Sequence, residues 1–64
     1  MRLELKRKII EWIFENINEW QIINSCVDTF REYIYNANGE YLIGGEDVYN
    51  FIHDEIILIK KELN

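Results

Sequence analysis

With 64 residues, a formal net charge of −5 and 48% hydrophobic side chains, the chain makes a single domain, 1–64, close to the lower size limit for folding alone. One cysteine, Cys26, and one histidine, His53, exclude an internal disulfide and any paired Cys/His zinc site. Stability must then come from dense helix packing or from self-association.

The first predicted helix runs from Leu3 to about Asn18. At 100° per residue, Leu3, Ile9, Ile10, Ile13, Phe14 and Ile17 share one face, with Leu5 and Trp12 at its edge. Arg7, Glu11, Glu15 and Asn18 take the other side, where Glu4 and Lys8 form a favourable i,i+4 pair. A second helix is predicted over about 19–37. Trp20, Ile23, Val27, Phe30 and Ile34 make its stripe, flanked by Ile22, Cys26 and Tyr33. The two stripes differ in phase by roughly 100°, so one straight helix would need partners on two sides. A break near Asn16-Ile17-Asn18 resolves this, because asparagine competes for backbone hydrogen bonds and caps helices well. Asn24-Ser25, followed by Asp28, offers a later start.

Asn36-Ala37-Asn38-Gly39 reads as a helix end, with Gly39 in the left-handed conformation. An extended glycine-containing connector follows at 38–45, and its Tyr41, Leu42 and Ile43 are expected to plug the end of the core. A strand there would have no second strand to pair with. The third helix is predicted over about 46–62, with Gly45 as cap, Glu46 and Asp47 at the positive end of the dipole and Lys60 and Lys61 at the negative end. Val48, Ile52, Ile56, Ile59 and Leu63 form its stripe, widened by Tyr49, Phe51 and Leu58. Glu55 falls inside this apolar arc and Ile57 outside it. The expected fold is therefore all-α, a small three-helix domain.

No residue set carries chemistry. A calcium loop centred on Gly39 would place Ile34 and Gly45 at ligand positions, which neither can serve. Gly44-Gly45 ahead of a helix is followed by Glu46 and Asp47, which repel the anion such a site would bind. His53 lies on a polar face without a partner, and Cys26 lies on an apolar side, where a thiol is packing material. No catalytic, cofactor-binding or metal-binding residue is assigned, no cofactor is expected, and the chain does not read as an enzyme.

Charge is the informative pattern. Residues 9–59 hold ten acids and one base, Arg31, while Arg2, Lys6, Arg7 and Lys8 cluster near the start and Lys60 and Lys61 near the end. Direct binding of nucleic acid or of an anionic membrane is disfavoured, since both need a basic footprint. An acidic helical surface instead suits a basic protein, including the groove of a nucleic-acid-handling one. Small phage-encoded inhibitors of restriction or CRISPR enzymes offer a functional analogy for such mimicry. The expected function is a protein–protein interaction module, a regulator or inhibitor. The alternatives are a homo-oligomeric scaffold, most simply a homodimer, and a DNA-binding regulator, which the acidic charge disfavours. Glu11, Trp12, Glu15, Tyr35, Asp54, Glu55, Ile57 and Leu58 are the candidate partner-binding residues. Lys6, Arg7 and Lys8 are candidates for self-association or charge pairing, because cations at a helix start oppose its dipole and a neighbouring acidic body would explain them. Lys6 and Arg31 are also the candidate partners for Glu55. With no signal-peptide pattern, no stretch of ~20 apolar residues and a lone thiol, the expected location is the cytoplasm.

Overall fold

A computed structural model describes residues 1–63. Three α-helices, α1 (Leu3–Glu15), α2 (Ile22–Thr29) and α3 (Gly45–Leu63), and a 3-10 turn at Arg31–Tyr33 make up the domain. This is the small all-α architecture expected from periodicity. Three helix boundaries differ from the sequence reading by more than one residue.

Helix α1 stops at Glu15 rather than near residue 18. Asn16 closes it: its backbone N–H reaches the Trp12 and Ile13 carbonyls, and its side-chain amide donates to Trp12 O at 2.8 Å. The expected break at Asn16–Asn18 is present, but asparagine acts as a C-terminal cap and not as the start of the next helix. Helix α2 begins only at Ile22, after Gln21 in the left-handed region (φ 55°, ψ 45°). Neither Glu19 nor Asn24-Ser25 is its start. The delay turns its buried face toward Ile22 and Cys26, with Ile23 and Val27 at the flank, and leaves Trp20 84% exposed.

The second expected helix also ends early. Thr29 donates its hydroxyl back to Ser25 O, the chain tightens into the 3-10 turn, and from Ile34 it is paired with the connector. Asn36 N donates to Glu40 O and Leu42 N to Ile34 O, each at 2.8 Å, on either side of an antiparallel bridge between Tyr35 and Tyr41. The segment read as a helix end thus supplies the missing partner for the connector. Gly39 is left-handed (φ 80°) as expected, but it closes a hairpin turn. Asn36 Oδ1 accepts from Asn38 N and Glu40 N inside that turn.

Helix α3 matches expectation to within one residue at each end. Gly44, with φ 80°, precedes the first turn and accepts from Val48 N. Gly45 is buried against the Ile34 backbone, and a Cβ there would overlap the Ile34 carbonyl oxygen. Only glycine lets the helix start approach so closely.

The core consists of Ile9, Ile13, Ile22, Cys26, Phe30, Ile34, Val48, Ile52, Ile56 and Ile59, with no buried polar side chain among the described residues. Helices α1 and α3 run side by side in the same direction. Leu5 and Val48 line one cleft at their starts, and Ile17 and Leu63 line another at their ends. Helix α2 returns between them and packs against both from one side. Several expected core residues are outside. Tyr41, Leu42 and Ile43 do not plug the core, and Leu3, Phe14 and Leu63 are more than half exposed.

Candidate interaction surfaces

Two surfaces carry the residues of interest. The first is acidic. Nine of the ten acids between residues 9 and 59 are exposed, and the tenth, Glu55, is half-buried. Among the described residues, none of these carboxylates lies within 4.0 Å of a lysine or arginine nitrogen; the one close pair is His53 Nδ1 with Asp54 at 3.8 Å. The cations expected to neutralise Glu55 face aromatic rings instead. Lys6 Nζ sits 5.8 Å from the centroid of Phe51, and the Arg31 guanidinium 5.1 Å from that of Tyr35. Both are cation–π distances. Glu11 and Glu15, one turn apart, lie on the exposed outer edge of α1.

The second surface is the side of the α1–α3 pair that α2 leaves open. Helical spacing about the Lys6–Phe51 contact places Leu3, Ile10 and Phe14 of α1 there, together with Phe51 and Leu58 of α3. Phe14 is 55% exposed, Leu58 50% and Leu3 64%. Charge divides largely along the same line. Lys6 and Arg7 lie on the α1 strip with Glu11 at its outer edge, and Asp47, Asp54, Glu55 and Glu62 lie on or beside the α3 strip with Lys61 at its outer edge. Lys6, Arg7, Asp54, Glu55 and Leu58, singled out separately in the sequence, are thereby brought together.

The other candidates lie elsewhere. Trp12 is half-buried, packed against the core from α1. Tyr35 is half-buried and stacks on Tyr41, with ring centroids 5.0 Å apart. The two tyrosines oppose each other at a site whose flanking hydrogen bonds make it the closely spaced type of antiparallel pair. Hydrogen bonding between the two phenols is the main reason the Tyr41 hydroxyl titrates above its ordinary range. Ile57 points away from both neighbouring helices, and Lys8 is exposed near the α1 start. Residues that pattern reading missed are Trp20 and Ile43. Trp20 matched the apolar period by coincidence, and its turn, with Lys60 and Leu63, forms an open cleft at one end of the molecule. Ile43, with Met1, Leu5, Tyr33 and Val48, lines an apolar cleft of about 450 Å³ at the other.

Cys26 is fully buried, and burial pushes its thiol up to about 12. A neutral thiol is a poor nucleophile. No helix among the described residues is long and apolar enough to cross a membrane. Compared against family models, curated proteins and solved structures, the chain matches none.

Proposed function

We propose that this chain is a non-enzymatic protein–protein interaction module that engages a basic surface on a larger protein and regulates or inhibits it. The observation that carries this reading is that the acids between residues 9 and 47 are exposed and, among the described residues, without an ion-pair partner. Carboxylates neutralised by neighbouring cations would project little field. Free ones attract a cationic partner and speed its approach. Within that class, a nucleic-acid-handling protein is the sharpest choice, since its groove is already built to receive spaced negative charge.

The test is capture of the partner on the immobilised full chain across a salt series, with duplex DNA as competitor. Binding should weaken steadily as salt rises, and DNA should displace a target held through its nucleic-acid groove. Glu11→Gln with Glu15→Gln should lower affinity by about tenfold, or about 1.4 kcal/mol, through the loss of two charges on the α1 edge. Capture that is indifferent to both salt and this variant would overturn the reading.

A further inference from the structure

The open α1–α3 face goes beyond that reading and does not rest on it. We propose that a second copy of this chain covers the face, in a parallel two-fold arrangement that lays α1 of one protomer along α3 of its partner.

Charge complementarity selects the occupant. The α1 strip of the face carries Lys6 and Arg7 with Glu11 at its edge, a net positive strip, and the α3 strip carries Asp47, Asp54, Glu55 and Glu62 with Lys61 at its edge, a net negative one. A two-fold axis parallel to the helices sets each basic strip over an acidic one. The antiparallel alternative stacks α3 on α3, acid against acid. A purely basic protein would meet Lys6 and Arg7 on the same face. A second copy is the partner that supplies both signs in the required order.

The axial register agrees. Lys6 is level with Phe51, so counting along the parallel helices brings Phe14 level with Ile59, beside Leu58. A two-fold axis along the helices preserves these levels, so Phe14 of one protomer meets the partner's Leu58. Arg7 comes within two residues, about 3 Å of rise, of the partner's Asp54. Phe14 and Leu58, half-exposed in the single chain, are thereby covered. The arrangement also accounts for cations at the start of α1, where they oppose the helix's own dipole: the acids of the partner's α3 stabilise them.

The face is modest. Along the thirteen residues of α1 and two helices wide, about 20 Å by 20 Å, it offers on the order of 400 Å² per copy, smaller than standard specific interfaces. The dimer should therefore dissociate within reach of ordinary dilution.

Sedimentation equilibrium of the full chain, from low micromolar to millimolar at low salt, should show a monomer–dimer equilibrium. Arg7→Glu and Asp54→Lys each remove two symmetry-related contacts and should each raise the dissociation constant about tenfold or more. The double variant, with the charges exchanged, should recover most of that loss. Phe14→Gln and Leu58→Gln should yield monomers with unchanged circular dichroism, since neither residue is in the core. A strict monomer throughout would overturn the proposal, as would a dimer insensitive to F14Q and L58Q. Failure of the exchanged pair to recover would overturn the parallel arrangement.

Discussion

Gly45 and Cys26 are single residues whose surroundings fix what can replace them. At Gly45 a methyl group would meet the Ile34 carbonyl, which already accepts the Leu42 N–H at 2.8 Å. Gly45→Ala must therefore push the start of α3 off the hairpin, and should cost more than about 2 kcal/mol in urea unfolding. Gly39, left-handed like Gly44, has open space around it, unlike Gly45. Gly39→Ala should cost only the left-handed strain, about 1 kcal/mol. Equal effects of the two substitutions would show that the close approach at Gly45 does not exist. Cys26 titrates near 12 in the fold against an ordinary 9.0. A raised value means the fold favours the neutral thiol. That contribution is complete below pH 9 and is lost as pH climbs from 9 toward 12. Melting temperature should fall over that window, and Cys26→Ala should fall less steeply. Below it, a thiol reagent should label the native protein only as fast as it opens.

The helices differ in how far their residues announce them. Helix α3 was legible almost to the residue, because independent signals coincide: paired glycines, acids in the first turn, lysines in the last, and a regular stripe between. Helix α2 was not. Trp20 fits the 3.6-residue period of Ile23 and Val27, yet the chain turns through Gln21 and sends the ring outward. Periodicity counts apolar positions and cannot see which of them the fold uses. Tyr35 was lost to the same method for another reason. Its partner, Tyr41, lies across a turn, and pairing across a turn outweighs helix propensity at the end of a short helix. Core and false core separate by stability. Ile52→Ala should cost about 2–5 kcal/mol, whereas Trp20→Ala should stay within about 0.5 kcal/mol. Comparable losses at both would mean that Trp20 packs after all.

At the scale of the molecule, charge was readable from the sequence and its partition was not. The excess of acids and the basic start are plain in a residue count. That Arg7 shares a face with Asp54 and Leu58 follows only once α1 and α3 lie parallel, and no local pattern encodes that direction. The stripes were wide enough to suggest an unfilled surface, but periodicity does not tell the half covered by α2 from the half left open.

The parallel pairing of α1 with α3 has a consequence for how the chain is made. Ile9 and Ile13 leave the ribosome early, yet Ile52, Ile56 and Ile59, which complete their packing, emerge dozens of residues later. An isolated helix of thirteen residues is marginal in water, so α1 must wait, largely unstructured, until α3 clears the exit tunnel. Folding of this domain is thus set by the emergence of α3. A stalled or truncated product would display Ile9, Ile13 and Phe14 to chaperones and proteases.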